Sequence, residues 1–177
     1  MSRFLLVLFL LITHLSFAQD RIPLYISSRL TPEAQAWNDL ICPELNKEFS
    51  LFRPQDIDLR QISKADIDVD AYKKDFEGMK QAKFLLVLPS PSYGRDCAWE
   101  IGWFCGQGKA TIAYVEVPGD WTKDAMVKGG LTAIITNSQE LYETLQTDSS
   151  LKNKLWLIPD RSCLARQIQT ILQQEKK

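Results

Sequence analysis

The chain has 177 residues, of which 45% are hydrophobic and 24% charged, and its formal net charge is −1. This composition is typical of a single globular domain, and the balanced charge argues against nucleic acid or an anionic membrane surface as a partner. The 5 Trp, 5 Tyr and 8 Phe residues argue against an intrinsically disordered chain.

The first 18 residues are predicted to be a signal peptide. Arg3 supplies a positive charge, residues 4–12 form an unbroken apolar run, and Ser16-Phe17-Ala18 carries small residues at the two positions that signal peptidase reads. The apolar run is shorter than the about 20 residues that a membrane span needs. An uncleaved anchor and a buried first strand are the alternatives. We expect residues 19–177 to be one domain, exported to a periplasm or secreted, with no membrane attachment after cleavage.

Histidine and cysteine limit the chemistry that remains. The one histidine, His14, lies in the segment expected to be removed, which excludes Ser-His-Asp and Cys-His catalysis and histidine-ligated metal sites. Cys97 and Cys105 are eight residues apart on one predicted helix, roughly 12 Å and beyond disulfide reach. Two disulfide connectivities and four free thiols therefore stay open for Cys42, Cys97, Cys105 and Cys163. The chain contains no CxxC pattern, so a zinc site is not expected, and no cofactor is expected either.

Apolar segments typical of strands alternate with helical patterns along the chain. The strand-like segments are residues 22–26, 49–52, 84–89, 111–117 and 131–136, with residues 155–158 as a final short strand. Helices are predicted from Thr31-Pro32 (with Pro43 kinking or ending it), over 68–81, over 96–106, from Asn137 and from Asp160. This alternation predicts a single-domain α/β fold, a flavodoxin-like or Rossmann-like three-layer sandwich with a mainly parallel five-stranded sheet.

Polar residues gather where the predicted strands end. Parallel sheets bind ligands at the carboxyl ends of their strands. The segments expected there are Ser27-Ser28-Arg29, Pro54-Gln55-Asp56 and residues 90–96.

The most informative of these segments leads into the helix over 96–106. Asp96 is placed to cap that helix, and Glu100 follows one turn later on the same face. Two carboxylates in this position suit acid–base or nucleophilic chemistry at a sugar carbon. The alternative is a routine helix cap followed by a first-turn acid that the helix dipole favours. Gly102 and Gly106 are predicted to let neighbouring elements approach closely.

Five segments in chain order resemble the nucleoside 2-deoxyribosyltransferase family. The resemblance covers roughly residues 20–147 and includes a first strand with a tyrosine near its end, a Pro-Gln turn, a helix with an aspartate, a Glu-apolar-Gly helix and a Gly-Lys pair. The segments are Ile22-Pro-Leu-Tyr25-Ile26, residues 52–56, residues 75–82, Trp99-Glu100-Ile101-Gly102 and Gly108-Lys109.

The resemblance implies a role for each matching residue. Glu100 would be the nucleophile that attacks C1′ and forms a glycosyl-enzyme, and Tyr25 would orient it. Asp75 would hold the sugar hydroxyls or the base, and Gln55 would touch the base edge. Asp96 is the candidate that protonates the leaving base. The family has an Asp six residues before the Glu, whereas Asp96 lies four residues before Glu100, and Gly94 occupies the position six residues before it. Such chemistry retains the configuration at C1′.

We therefore expect an enzyme acting on the N-glycosidic bond of nucleosides, by deoxyribosyl transfer or hydrolysis. Arg29 and Arg95 could bind a phosphate, which keeps open a nucleotide or NAD glycohydrolase. The altered spacing of Asp96 keeps open a catalytically silent nucleoside-binding module. Trp99 could stack on a base or pack in the core. A homo-oligomer is expected from the resemblance alone.

Overall fold

The structure is a computed structural model that describes residues 21–58, 67–89 and 93–175. The predicted signal peptide, its cleavage site and residues 90–92 of the predicted loop lie outside these ranges. Within the described ranges, no helix is both long and apolar enough to cross a membrane.

Six parallel strands form the described sheet. They are β1 (Ile22–Ser27), β2 (Phe49–Phe52), β3 (Phe84–Val87), β4 (Thr111–Val115), β5 (Ala133–Thr136) and β6 (Leu155–Leu157), in the order β2-β1-β3-β4-β5-β6. The predicted count of five is wrong by one, because the short segment at Leu155 pairs in parallel with β5 from Ile134 onward. The chain reverses direction across the sheet between β1 and β3, the position where ligands bind in doubly wound folds.

Six α-helices within the described residues cover the sheet. They are α1 (Pro32–Leu45), α2 (Ile67–Gln81), α3 (Arg95–Gly106), α4 (Ala125–Gly130), α5 (Gln139–Gln146) and α6 (Leu164–Gln174). Thr31 and Ser138 cap α1 and α5 with their hydroxyls. Pro43 lies inside the last turn of α1, so the helix ends two residues beyond it. α4 was not predicted, because six residues ending in two glycines are too short to show a helical period.

The two faces of the sheet carry separate apolar cores. Leu24, Ile26 and Leu86 face α1 and α6, whereas Tyr25, Leu85 and Val87 face α2 to α5. Side chains alternate along a strand, so a strand buried on both faces is apolar throughout. This arrangement confirms the predicted three-layer sandwich, and it directs Tyr25 towards α2 and α3.

A neighbouring side chain lies close to Gly78, and not to Gly102 or Gly106 as expected from the sequence. A Cβ at Gly102 or Gly106 would meet no atom within 4 Å, so that prediction is wrong. A Cβ at Gly78 of α2 would lie 2.5 Å from the Phe52 ring. That ring stacks on Tyr25 with 5.5 Å between ring centroids. Gly78 therefore makes room for the aromatic pair beneath the carboxyl edge of β1.

Lys109 fastens the end of α2 to the start of β4. Its ammonium group donates hydrogen bonds to the carbonyls of Met79, Lys80 and Ala82, at 3.3, 3.1 and 2.7 Å. These carbonyls lack partners within the helix, and a cation at a helix C-terminus also opposes the helix dipole. Gly108 precedes it with a φ of +66°, which glycine adopts without strain. The Gly-Lys pair therefore has a structural role.

All four cysteines are free thiols in the structure. Cys42 and Cys97 are buried, Cys105 is exposed and Cys163 is intermediate in exposure. The sequence left open two disulfide connectivities or four free thiols, and the structure has the four free thiols.

Replacing Gly78 with alanine tests the packing against Phe52. We expect Gly78→Ala to lower the free energy of unfolding by about 1 to 3 kcal/mol, because the new methyl group overlaps the Phe52 ring. Gly102→Ala is the matched control and should raise stability by about 0.5 to 1 kcal/mol, because it adds a helix former in open space. Urea unfolding of both variants checks this; equal effects would contradict the packing.

Candidate active site

Tyr25 is the centre of the candidate site. Its hydroxyl oxygen lies 2.7 Å from Asp75 Oδ1 and 2.7 Å from Glu100 Oε1. The three residues come from β1, α2 and α3, and they meet because Tyr25 faces the two helices that cover this side of the sheet. The structure thus brings together three of the residues predicted from the sequence.

The group lies in largely apolar surroundings. Tyr25 is fully buried and Glu100 is 5% exposed, whereas Asp75 is half-buried. The Tyr25 ring contacts Phe52 and Phe104, with centroid distances of 5.5 and 5.8 Å. Electrostatic interactions are stronger in such surroundings than in water, and an unpaired charge is costly there.

The hydrogen bonds around Tyr25 fix the number of protons in the group. A phenol has one hydrogen, so it donates to one carboxyl group and accepts from the other. Both short contacts are hydrogen bonds only when one carboxyl group is protonated. Below the pKa of that acid, the free site therefore holds one carboxylate, one carboxylic acid and the phenol.

Burial decides where this proton resides. Desolvation is the main cause that raises the pKa of Glu100 to about 7; hydrogen bonding by Ser27 and Tyr25 lowers this pKa, and the charges of Asp75 and Asp96 contribute to raising it. The pKa of Asp75 is also raised, chiefly by desolvation. Burial and the two carboxyl groups hold the pKa of Tyr25 well above its ordinary value, so its hydroxyl stays protonated. Glu100 is the more buried carboxyl group and is the one that carries the proton.

Ser27 and Cys97 adjoin Glu100; the sequence placed Ser27 at this edge of the sheet without a role and did not assign Cys97 to the site. The Ser27 hydroxyl is fully buried and has no hydrogen-bond partner among the described residues. It lies near enough to Glu100 and to the Cys97 thiol to lower the pKa of both, while burial raises the pKa of that thiol overall.

Asp96 does not cap α3 as expected. Gly94 is the capping residue, with extended backbone, and Asp96 lies exposed in the first helical turn. A carboxylate in this turn is favoured by the helix dipole. Asp96 makes no hydrogen bond to Tyr25, and its charge raises the pKa of Glu100 and Asp75. Asp75, and not Asp96, therefore shares the hydroxyl with Glu100.

Gln55 lies at the same edge of the sheet and is held by a residue that the sequence analysis missed. Its Oε1 accepts a hydrogen bond of 2.6 Å from Nδ2 of Asn38, which is 1% exposed. Asn38 also donates to Ser28 Oγ at 2.6 Å. The helical spacing of Asn38 from Ala34 and Ile41, both buried, was the signal that placed it on the inner face of α1.

The remaining predicted residues lie around the start of α3. The stem of Arg29 packs over Gly94, since a Cβ at Gly94 would lie 3.5 Å from Arg29 Cγ. Arg95 is exposed at the first position of α3. Trp99 is 47% exposed and packs against Phe76 of α2, with 6.1 Å between ring centroids. Contact of these four residues with a substrate stays a prediction.

No group of three or more His, Cys, Asp or Glu side chains in the described ranges is arranged to hold a metal ion.

The pH dependence of stability tests the protonation of Glu100. Its pKa is about 7 in the folded protein against 4.5 ordinarily, so the unfolded chain releases this proton first as pH rises. Stability is then lost between pH 4.5 and 7, by up to about 3 kcal/mol. Glu100→Gln cannot ionise, so we expect its unfolding free energy, relative to wild type, to increase over this range. Denaturant unfolding at pH 4.5 and 8 measures the change, with Glu140→Gln on the exposed surface of α5 as control. A constant difference would contradict the assignment.

Searches of the sequence against protein families and against curated proteins give no match. Solved structures do match. The 2-deoxyribosyltransferase of Bacillus psychrosaccharolyticus aligns with a TM-score of 0.51 and 20% identity, over 63% of this chain and 83% of that one. A conserved protein from Enterococcus faecalis V583 aligns with a TM-score of 0.52 and 15% identity, over 85% and 98%. The chain therefore has a divergent nucleoside 2-deoxyribosyltransferase-like fold.

Proposed function

We propose that this protein breaks the N-glycosidic bond of a nucleoside, with Glu100 as the nucleophile. The observation that carries the proposal is the placement of the Tyr25 hydroxyl 2.7 Å from both Glu100 and Asp75. A retaining glycosyl transfer needs a carboxylate nucleophile and a second carboxyl group that acts as acid and base. Glu100 and Asp75 are two such groups, and the Tyr25 hydroxyl between them can pass a proton from one to the other. The similarity in fold to a 2-deoxyribosyltransferase supports the same substrate class.

The first step requires Glu100 as a carboxylate and an acid near the leaving base. In the free site Glu100 donates to Tyr25, and Tyr25 donates to Asp75. When both protons shift along these two hydrogen bonds, Glu100 becomes the carboxylate and Asp75 the acid. The Glu100 carboxylate then forms a bond to C1′, and the electron pair of the C1′–N bond goes to the base, which takes the proton from Asp75.

The second step frees Glu100, and a shift of both protons back along the hydrogen bonds, from Asp75 to Tyr25 and from Tyr25 to Glu100, then restores the starting state. Water or a second base attacks C1′, Asp75 accepts the proton of this acceptor, and Glu100 leaves as a carboxylate. Two displacements at C1′ give overall retention of configuration. Water as acceptor gives hydrolysis, and a base gives transfer. Export of the protein, which we propose from residues 1–18, favours hydrolysis, because a second free base is not assured outside the cell.

A nucleotide or NAD glycohydrolase is the second candidate. The N-terminus of α3 is capped by Gly94 without a side-chain hydrogen bond, and the stem of Arg29 packs over it. Free backbone N–H groups at a helix N-terminus favour anions, and an arginine beside them adds positive charge. A substrate phosphate at this position would lie on the same helix as Glu100.

A substrate panel tests the proposed reaction. Ribo- and deoxyribonucleosides, nucleotides and NAD are incubated with the protein, with and without a second free base, and chromatography measures released or exchanged base. We expect Glu100→Ala to lower the rate by about a thousandfold or more, because it removes the nucleophile. Glu140→Gln is the control that leaves the rate unchanged. Intact mass after rapid quenching should show a sugar adduct on wild type and none on Glu100→Ala.

Several outcomes would contradict the proposal. Equal activity of wild type and Glu100→Ala would remove Glu100 as nucleophile. Nucleoside binding without turnover across the panel would leave a binding module. Turnover restricted to substrates with a phosphate would establish the second candidate in place of the first.

A comparison of Asp75→Asn with Asp96→Asn identifies the acid. We expect Asp75→Asn to slow the release of ordinary bases by about a hundredfold or more, because the amide cannot donate the transferred proton. Bases that leave readily as anions, such as 5-fluorouracil, should be affected much less. Asp96→Asn should change the rates only a few-fold, because it acts on the site through its charge alone. Steady-state rates over a series of leaving bases measure this; the opposite ranking would assign the acid to Asp96.

A further inference from the structure

The amide of Asn38 is buried, and both of its N–H donors are used. One N–H donates to Ser28 Oγ and the other to Gln55 Oε1, each at 2.6 Å. The carbonyl oxygen Oδ1 is buried and has no partner among the described residues. Asn38 therefore joins α1 to the ends of two neighbouring strands by the nitrogen of its side chain.

The orientation of this amide has a physical reason. Turning it over would place Oδ1 between Ser28 and Gln55, and the two N–H donors would then be the buried groups without partners. Two unpaired N–H donors cost more than one unpaired carbonyl, which natural structures tolerate more often. The Asn38 nitrogen thus faces Gln55, and the oxygen of Gln55 must face Asn38.

This contact turns the nitrogen of Gln55 away from Asn38, beyond the end of β2. Gln55 lies in the short 3-10 turn Pro54–Asp56, directly after β2. Tyr25 and Phe52 are paired across β1 and β2. Ser28 and Gln55 each follow these residues by three positions, so they lie side by side beyond the ends of the two strands. The Gln55 Nε2 group has one long contact, 3.4 Å to Asp39 Oδ1, and that carboxylate is already paired with Arg53 at 2.8 Å.

We propose that Asn38 is a positioning residue that sets base selectivity, because it fixes the amide of Gln55 with its N–H donors towards the ligand. This inference rests on the proposed nucleoside substrate. A base that presents a carbonyl oxygen to Gln55 accepts a hydrogen bond from its N–H group and is favoured. A base that presents an amino group places one donor against another and is disfavoured. Uracil and hypoxanthine present the carbonyl, whereas cytosine and adenine present the amino group at the same place on a ring of the same shape.

Two substitutions reverse this preference by different routes. In Asn38→Asp the carboxylate accepts from Gln55 Nε2, so the amide turns over and presents Oε1. In Gln55→Glu the bond from Asn38 is kept, but the outer donor becomes an acceptor. Gln55 is half-buried, so this second variant tests the proposal even if Asn38→Asp does not fold. Asn46→Asp, at the exposed C-terminal end of α1, is the control.

Binding and turnover are measured for the matched pairs uridine with cytidine and inosine with adenosine. Each variant is also combined with Glu100→Gln, and calorimetry gives dissociation constants that need no turnover. We expect wild type to favour the oxo base of each pair by about tenfold, and Asn38→Asp and Gln55→Glu to shift that ratio by about tenfold or more towards the amino base. Asn46→Asp should keep the wild-type ratio.

The outcomes separate this inference from the proposed reaction. An unchanged ratio in both variants, or a uniform loss of affinity for all four nucleosides, would overturn the positioning role of Asn38, since a purely structural residue would give either result. Selective binding that shifts as expected, without turnover, would support the inference and overturn the proposed reaction. Absence of binding to any nucleoside would overturn both.

Discussion

The single proton of the Tyr25 hydroxyl is the constraint on which the candidate site depends. One phenol between two carboxyl groups forms two hydrogen bonds only if one of those groups is an acid, and burial assigns that state to Glu100. The nucleophile candidate and the acid candidate are therefore never independent. A proton that leaves one of them along this route arrives at the other, which couples the two demands of glycosidic bond cleavage.

This coupling requires that three elements hold their positions to within a hydrogen bond. Gly78 gives Phe52 the room to stack on Tyr25 from one side, and Lys109 ties the last carbonyls of α2, the helix of Asp75, to the beginning of β4. Neither residue touches the carboxyl groups. Both nevertheless help to hold the helix that carries Asp75, which is positioned at its end as well as along its packed face.

The sequence predicted the layers and the central residues well, because both leave periodic or local patterns. Strands buried on both faces are continuous apolar runs, and the segments around Tyr25, Asp75 and Glu100 are recognisable individually. What could not be predicted depends on distance between segments. The cap of α3 moved from Asp96 to Gly94 because backbone geometry decides a cap. Asn38 showed only the helical spacing of an inward position, and its partner Gln55 is 17 residues away.

The described sheet ends at two short strands, β2 with four residues and β6 with three. The unpaired backbone of an edge strand is a template on which other chains can add strands and aggregate, and short edges are one means by which proteins limit it. Pro54 lies two residues beyond the end of β2 and has no N–H with which to continue a ladder. The described sheet therefore offers other chains little edge on which to add a strand.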